Sequence, residues 1–517
     1  MAVRTAPAVR PPAAIGAPRR WSALAVMCLS LLVVSLDNTI VNVALPTLVR
    51  DLNATTTQLQ WVVDAYALAF GGLMLVAGSV ADRIGRKRML LAGLMVFGAA
   101  SGWAAVSGSV GMLIAARAAM GVGGAMMMPA TLAIIIDTFR DPRERSRAIG
   151  AWAATNGLGI AVGPIAGGLL LEHFWWGSIF LVNVPIIVFA IACGVPLIGD
   201  SRDRDATAPD PVGALLSVAG VGLLLWGIIE APPRGWDSPL VLGAGSAGLA
   251  TLLGFVLWEQ HVAHPMLQLD VFRRRSFSIA TTSVGLAMFG MFGAMFVLTQ
   301  YLQFDLGYTA LQTGVRILPV AGLLAVAAPV STALTRVIGT KVTVAAGLAS
   351  AAGGMVQLSS TTTAGGYGDS LPGMCLLGLG AGLILPAAID SITGTLPQNR
   401  MGVGSATNGV FLQVGGALGV AVIGSLLSTR YQDHLTRALA GRPLPSSVLD
   451  TVKGSLGGAL EVAGRAGPAG GPLGALARES FIAGLRLGFT VAAFVGAGAC
   501  VLALAALPVR AWRHREQ

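Results

Sequence analysis

Fourteen long apolar runs follow one another along the chain, and they constrain its fold more than any other feature. Each run is long enough to cross about 30 Å of hydrocarbon as an α-helix. Of the 517 residues, 54% are hydrophobic and only 11% are charged, so a soluble fold would expose far too much apolar surface. We therefore predict an all-α integral membrane protein with fourteen transmembrane helices. Helices 1 to 14 are predicted at 22–46, 60–80, 88–107, 110–136, 148–171, 178–198, 211–230, 239–259, 277–302, 313–335, 341–360, 371–395, 403–427 and 481–508.

Basic residues are concentrated in the loops on one side of these runs. They lie in the segments 83–88, 140–147, 202–204, 273–275 and 336–341 and at Arg400. The short loops on the other side offer only Arg50 and Arg234, so the positive-inside rule places the basic loops in the cytoplasm. We expect a multi-pass protein of the cell membrane, with cytoplasmic tails at 1–20 and 509–517 and an extracellular loop at 428–480. The net charge of +10 then reflects membrane topology and not nucleic acid binding.

Two sequence patterns occur once in each half of the chain. Residues 121–130 read Gly-Val-Gly-Gly-Ala-Met-Met-Met-Pro-Ala, and 378–387 read Gly-Leu-Gly-Ala-Gly-Leu-Ile-Leu-Pro-Ala. The sequence Ala-Thr-Asn-Gly at 154–157 recurs at 406–409. These repeats pair helix 4 with helix 12 and helix 5 with helix 13.

The repeats divide the chain into related halves. We expect a six-helix bundle at 21–199 and a second one at 276–508. Two further transmembrane helices with their loops, at 200–275, are inserted between them. Paired halves with a central site between them are the architecture of many secondary transporters.

The turn between helices 2 and 3 carries an unusual group of charges. It reads Gly-Ser-Val-Ala-Asp-Arg-Ile-Gly-Arg-Lys-Arg from Gly78, and a faint echo of its centre occurs at 338–341. Gly78 and Gly85 allow close packing or a sharp turn, and Asp82 can receive a helix end or an arginine. Arg86, Lys87 and Arg88 hold the loop on the cytoplasmic side, where Arg83 also lies. Taken alone, the segment is either a gating element or only a membrane anchor.

This Gly-x-x-x-Asp-Arg-x-Gly-Arg-Lys run resembles the signature between helices 2 and 3 of major facilitator transporters. The first helix, from Leu36 to Pro46, and the glycines of helix 5 around Gly163 are similar to signatures of the fourteen-span drug:proton antiporter family. The chain departs from that family at Trp175-Trp176-Gly177, where an arginine often stands between tryptophans, and in helix 13, where charged residues often follow the asparagine.

The resemblance covers nearly the whole chain. It implies the major facilitator fold and proton-driven efflux of amphipathic drugs, antibiotics or secondary metabolites by alternating access. The partners are then a small amphipathic molecule, protons and the lipid bilayer, and we expect a monomer without cofactor. Two alternatives remain: proton-coupled uptake of a metabolite, and a membrane scaffold that has a transporter fold and does not transport.

Charges inside hydrocarbon cost several kcal/mol unless they face a cavity or a partner, so the few intramembrane charges are informative. Asp37 in helix 1 and Arg117 in helix 4 are predicted at similar depth, which allows contact. The proton-coupling hypothesis has Asp37 exchange the proton, and the alternative is a permanent structural ion pair. Asp64 is either a coupling carboxylate or a solvated residue near the start of helix 2. Asp390 in helix 12 is either a cavity residue that relays protons or attracts a cationic drug, or an inner-end carboxylate capped by Thr393 or Thr395.

Polar amides and small residues supply the remaining candidates. Buried amides need partners, so Asn42, Gln300 and Gln303 are predicted to contact substrate. In helix 5, Gly157, Gly163 and Pro164 can form a seam that seals or hinges a gate, and the alternative is dense packing without motion.

Enzyme chemistry has no support in the sequence. The cysteines have no paired spacing, the five histidines lie in loops or at helix ends, and no phosphate-binding loop ends in Gly-Lys-Ser/Thr. We therefore expect neither a metal site, nor a cofactor, nor direct use of ATP.

Overall fold

The computed structural model describes residues 17–202, 209–395, 401–440 and 445–507. In this part of the chain fourteen helices are long and apolar enough to span a membrane, which confirms the predicted fold class. The predicted tails, apart from the first turn of helix 1, and the predicted inner-loop residues Arg204 and Arg400 lie outside it. Helices 1 to 14 extend over Ala17–Leu52, Thr56–Ile84, Arg86–Ala105, Val110–Thr138, Pro142–His173, Ser178–Leu197, Pro211–Arg234, Pro239–His261, Arg275–Asp305, Ala310–Ile338, Thr340–Ser359, Tyr367–Thr395, Met401–Ala438 and Gly471–Ala506.

The ends of the bundle are named here after the predicted topology. Helix 1 begins at the inner end and finishes at the outer end, and each later helix reverses direction. Helix 9 finishes at the outer end in a π-helical turn, Tyr301–Asp305.

Helices 2 and 10 begin and end in the same way. Thr55 precedes helix 2, and its hydroxyl accepts from the Gln58 backbone N–H at 3.3 Å while the Gln58 side chain accepts from the Thr55 N–H at 3.0 Å. Thr309 and Gln312 form the same reciprocal cap before helix 10. Both helices end at a glycine with positive φ, 112° at Gly85 and 86° at Gly339. The faint echo in the sequence therefore marks equivalent turns.

The repeated glycines lie where helices touch. A Cβ on Gly121 of helix 4 would stand 2.9 Å from Ala69 Cβ in helix 2, and one on Gly378 of helix 12 would stand 2.9 Å from Val320 Cα in helix 10. Such distances are too short for a side chain, so each glycine permits close packing of backbones. Helix 4 thus packs on helix 2 as helix 12 packs on helix 10.

The inserted helices 7 and 8 pack against each other, and helix 7 packs against the seam between helices 2 and 13. Leu225 and Ile229 of helix 7 form a buried cluster with Ala67 of helix 2 and with Ala417 and Ala421 of helix 13. Helix 7 therefore covers one side of the seam between helices 2 and 13, and helix 8 lies against helix 7.

The predicted outer loop 428–480 is largely helical. Helix 13 continues to Ala438 and helix 14 already begins at Gly471, because polar helical turns extend both helices past their apolar runs. Short helices at Ser446–Gly454 and Leu456–Arg465 lie between them. The Tyr431 hydroxyl of helix 13 donates to the carbonyl oxygens of Val452 and Ser455, at 2.8 and 3.2 Å. This outer segment is thereby held over the end of the bundle.

Candidate functional site: a buried charge cluster and the seam between the halves

The structure brings Asp37 and Arg117 together. A guanidinium nitrogen of Arg117, Nη1, donates to Asp37 Oδ2 in an ion pair between helices 4 and 1. The two side chains are 0% and 1% exposed, so water does not reach the pair. The Coulomb attraction is strong in such surroundings, and removal of either partner leaves an isolated buried charge.

Neighbouring helices fix the guanidinium of Arg117. Its Nε donates to the Val62 carbonyl oxygen of helix 2 at 3.0 Å. The Tyr66 ring lies 4.3 Å from the guanidinium carbon and the Phe180 ring 5.9 Å from it, which are cation–π distances. The amide of Asn183 in helix 6 lies beside the Asp37 carboxylate. Four helices of the first half therefore meet at this charge pair.

Asp64 lies deeper than the sequence suggested. Helix 2 begins at Thr56, so Asp64 is its ninth residue and lies about 12 Å from the outer end. Its side chain is 0% exposed, and neither carboxylate oxygen accepts a hydrogen bond from any described residue. The solvated alternative for Asp64 does not describe this conformation, because helix 2 begins at Thr56 and the side chain is buried.

The face of helix 2 that carries Asp64 is the face that meets helix 13. Gln60 lies one turn above Asp64 and donates to three acceptors in helix 13, and Gly71 lies two turns below and packs on Gln413. Asp64 is thus a carboxyl without hydrogen bonds inside the seam between the halves.

Asp390 has a different environment. It lies near the inner end of helix 12, and its side chain is exposed. Thr393 and Thr395, the predicted capping residues, have side chains outside the described set. The structure therefore places Asp390 apart from the Asp37–Arg117 pair.

A small cavity of about 40 Å³ lies between the two halves, enclosed by helices 1 and 5 on one side and helices 9 and 10 on the other. Asn42 and Thr39 are polar residues in its wall, and Met291 and Met295 supply flexible apolar surface opposite them. Drug-sized sites enclose roughly 300–1,000 Å³, so the halves must separate before a drug fits. Of the three amides predicted to contact substrate, Asn42 lines this cavity.

Asn42 donates to the Asn38 carbonyl oxygen of its own helix at 3.2 Å, and the other two amides also have partners within the protein but do not line this cavity. Gln300 is buried, and its Nε2 donates to the Phe296 carbonyl oxygen within helix 9 at 3.0 Å. Gln303 Nε2 donates to the Val43 carbonyl oxygen of helix 1 at 2.9 Å. Gln303 therefore ties the halves together in this conformation and does not line the cavity.

The outer ends of the two halves are joined by hydrogen bonds from both sides. Besides Gln303, the Gln60 amide nitrogen donates to the Val420 and Ala421 carbonyl oxygens at 3.1 and 2.9 Å and to the Ser425 hydroxyl at 3.2 Å. The Thr309 hydroxyl of helix 10 donates to Glu172 of helix 5 at 2.6 Å. These contacts seal the outer end, and we call them the outer seal.

The turn between helices 2 and 3 is held at the inner end. Arg86 Nε pairs with Asp82 Oδ1 at 2.8 Å, and the Arg86 backbone N–H donates to the Ser201 carbonyl oxygen at 2.9 Å. Gly85 makes the predicted sharp turn, Arg83 is exposed, and Gly78 is in ordinary contact with Pro129 of helix 4. The turn thus links helices 2 and 3 to the segment that follows helix 6.

The predicted seam of helix 5 has two partners. Gly163 packs on Thr39 of helix 1, whereas the Pro164 carbonyl lies against Gly314 of helix 10 in the other half. Gly157 has no heavy atom within 4 Å of an added Cβ. Pro164 therefore lies where the halves meet, Gly163 lies within the first half, and Gly157 lies in open space.

We expect Gly163→Ala to destabilise the protein, whereas Gly157→Ala should keep its stability or raise it by up to about 1 kcal/mol, because alanine favours the helix and meets no neighbour there. The added methyl at Gly163 overlaps the Thr39 side chain, and overpacking of this kind costs about 1–3 kcal/mol. Thermal unfolding in detergent, followed by intrinsic fluorescence, compares both variants with the wild type. Equal melting temperatures for the two variants would contradict the assignment of the seam.

Tyr66, Asn183 and Gln60 belong to this site and have no predicted role. Tyr66 and Asn183 are 1% and 0% exposed, and both support the ion pair. A buried amide or aromatic looks the same in sequence whether it faces a charge or the core. For Gln60 and Tyr66 the available signal was their four-residue spacing from Asp64 and Val62 in helix 2, whereas Asn183 in helix 6 had no such signal.

Comparison with known proteins agrees with this architecture. The model of the Major Facilitator Superfamily matches residues 27–420. The chain is 33% identical to the tetracenomycin C resistance and export protein of Streptomyces glaucescens, over 94% of this chain and 91% of that protein. It is 38% identical to a puromycin resistance protein of Streptomyces alboniger, over 79% and 82%. It is 33% identical to the multidrug efflux pump LfrA of Mycolicibacterium smegmatis, over 81% and 82%.

Solved structures share the fold. A bacterial homologue of the human lysosomal transporter Spinster, in an inward-facing conformation, superimposes with a TM-score of 0.67 at 16% identity, over 97% of this chain and 100% of that one. The match of the family model to most of the chain agrees with the fourteen helices and the paired glycine contacts. The chain therefore belongs to the Major Facilitator Superfamily.

Proposed function

We propose that the protein exports amphipathic drugs, antibiotics or secondary metabolites across the cell membrane in exchange for protons. The observation that supports proton coupling is the presence of two buried carboxyl groups in the first half. Asp37 is paired with Arg117, and Asp64 has no hydrogen-bonding partner among the described residues. Relatives named as antibiotic resistance, export or multidrug efflux proteins support the direction of transport. Both termini are proposed to be cytoplasmic, and the protein is proposed to act as a monomer.

The proposed motion is a rocking of helices 1–6 against helices 9–14 about a site near the midplane. In the present conformation the outer seal is closed around Gln60, Gln303 and Thr309. When the outer seal opens, the central cavity becomes accessible from the outside. When the outer seal is closed, the cavity can be reached only from the inner end. Pro164 and the turn at Gly85 are proposed to transmit this motion.

Proton uptake is proposed to favour the sealed state. An ionised carboxylate buried in hydrocarbon without a partner costs several kcal/mol, whereas a protonated carboxyl is neutral. Asp64 is therefore proposed to hold a proton while helices 2 and 13 are in contact, and to lose it when the seam opens. Asp37 exchanges its proton when Arg117 moves away from it, and Asp390 is the candidate for release at the inner end.

The energy available fits an exporter. A membrane potential of 100 mV is worth about 2.3 kcal/mol for each charge that moves inward. One proton per neutral substrate then sustains a concentration ratio of roughly fifty. The wall of the central cavity is largely apolar, with Asn42 and Thr39 as polar contacts, which suits an amphipathic molecule.

The test is dye or antibiotic uptake into energised inverted vesicles, with and without a protonophore. We expect uptake that requires the proton gradient and stops when the protonophore is added. Accumulation in right-side-out vesicles instead would indicate uptake of a nutrient. No movement of any compound in either orientation, from protein shown to be folded, would favour a scaffold.

A further inference from the structure

A polar groove of about 500 Å³ lies at the outer end of helices 13 and 14. Thr362 and Thr363, in the loop that follows helix 11, also line the groove. Helix 14 contributes Arg478, Glu479 and Arg486. Helix 11 ends at Ser359, and the apolar run of helix 14 begins near Phe481. The groove therefore lies at the level where hydrocarbon meets lipid headgroups.

Arg486 is the unusual residue of this groove. It lies inside the apolar run of helix 14, yet its side chain is exposed. Its Nε donates to the Thr361 carbonyl oxygen at 3.0 Å, which directs the side chain towards the interface. Among the described residues no carboxylate forms an ion pair with it, so most of its five N–H donors are available. A guanidinium in this position suits a phosphate group.

Arg478 is already engaged. It donates to the carbonyl oxygens of Phe304 and Asp305 at 2.8 and 2.5 Å, and its Nη1 lies 3.7 Å from the Asp305 carboxylate. It thereby holds the end of helix 9. The charges left to the groove are the guanidinium of Arg486 and the exposed carboxylate of Glu479.

Glu479 and Arg486 form a pair of opposite charges on one face of helix 14. Seven residues separate them, which is two turns or about 10 Å along the helix. Glu479 is nearer to the outer water and Arg486 nearer to the hydrocarbon. This order matches a zwitterionic headgroup, whose ammonium lies on the water side of its phosphate.

An exposed apolar stripe begins one residue after Arg486, about 100° around helix 14 from it, and winds back towards the Arg486 face with depth. Leu487, Phe494 and Val501 are 37%, 73% and 66% exposed and follow one another at seven-residue spacing. Such a stripe gives acyl chains a continuous surface directly below the groove.

We propose that the groove binds one phospholipid of the outer leaflet with a primary-ammonium headgroup, such as phosphatidylethanolamine. Its phosphate accepts hydrogen bonds from Arg486 and from the hydroxyls of Thr362 and Thr363. Its ammonium donates to Glu479, and its acyl chains lie along the stripe at Phe494. The site is separate from the central cavity and does not depend on what the protein transports.

The test is lipid binding to the purified full-length chain by native mass spectrometry, with phosphatidylethanolamine and phosphatidylglycerol of identical acyl chains. We expect the wild type to prefer phosphatidylethanolamine. Arg486→Gln should weaken its binding by about tenfold, the value of a charge-assisted hydrogen bond, and Arg486→Lys should retain most of it. Glu479→Gln should abolish the preference over phosphatidylglycerol.

The matched control is Arg465→Gln, since Arg465 is an outer-end arginine with a 77% exposed side chain that lies outside the groove. We expect it to bind lipid as the wild type does. A wild type that prefers phosphatidylglycerol, or Arg486→Gln and Glu479→Gln variants that bind both lipids as the wild type does, would overturn the proposal. Melting temperatures close to that of the wild type establish that the variants are folded.

Discussion

Asp37→Asn should reduce proton-driven efflux by at least about a hundredfold. The substitution removes the titrating carboxylate and leaves Arg117 as an isolated buried charge, which costs about 3–5 kcal/mol. Arg117→Gln should be equally damaging, because it isolates the carboxylate of Asp37. The measurement is the initial rate of dye uptake into energised inverted vesicles that hold equal amounts of each variant.

The double variant Asp37→Asn with Arg117→Gln separates the two hypotheses for this pair. It removes both charges and leaves two amides of similar size, so its melting temperature should recover towards that of the wild type. If Asp37 carries the proton, the double variant stays inactive although it is stable. If the ion pair is only structural, transport returns together with stability, and the assignment of Asp37 to proton coupling fails. Arg465→Gln is the control for loss of an arginine far from the site.

Asp64→Asn should hold the outer seal closed at every pH. In the wild type, alkaline conditions ionise Asp64 and oppose its burial between helices 2 and 13, so the outer end should open as the pH rises. Asparagine is neutral throughout, and its burial does not change with pH. Efflux by this variant should fall by more than about tenfold, because an exchange cycle needs both states.

Spin labels at the outer end can report this equilibrium. Cysteines at Asp51, at the end of helix 1, and at Arg430, near the outer end of helix 13, lie on opposite halves and are exposed in the structure. In a background without the four native cysteines, electron spin resonance distances should lengthen with pH in the wild type and stay short in Asp64→Asn. Asp450→Asn, which changes an exposed carboxylate of the outer segment, should behave as the wild type. A pH-dependent distance that persists in Asp64→Asn would exclude Asp64 as the switch.

The fold was predictable because hydrocarbon leaves a chain few choices. Every backbone N–H and C=O within the bilayer must be paired, so long apolar runs become helices. The repeated glycines were equally informative, since Gly121 and Gly378 mark positions where only hydrogen fits between neighbouring backbones. Asp37 and Arg117 were predicted at similar distances from the outer ends of helices 1 and 4, and this was enough to suggest that the two side chains meet.

The partners of single polar residues were not predictable. Gln303 had the features of a substrate contact, yet its amide joins helix 9 to the Val43 carbonyl oxygen of helix 1. Asp64 looked close to water, and it is enclosed because helix 13 lies across it. A side chain of given polarity and depth can face a cavity, a neighbouring helix or lipid, and sequence spacing on one helix does not distinguish them.

By itself, therefore, the sequence determined the fourteen membrane helices, the equivalence of the glycine contacts in the two halves and the similar depth of Asp37 and Arg117. These depend on local hydrophobicity and helical spacing, which each segment carries alone. Only the tertiary structure decided that helix 7 covers the seam between helices 2 and 13, that Gln60 and Gln303 seal the outer end, and that Arg486 lines a groove. Those features depend on how separate helices pack, because a contact exists only when both of its sides are in place.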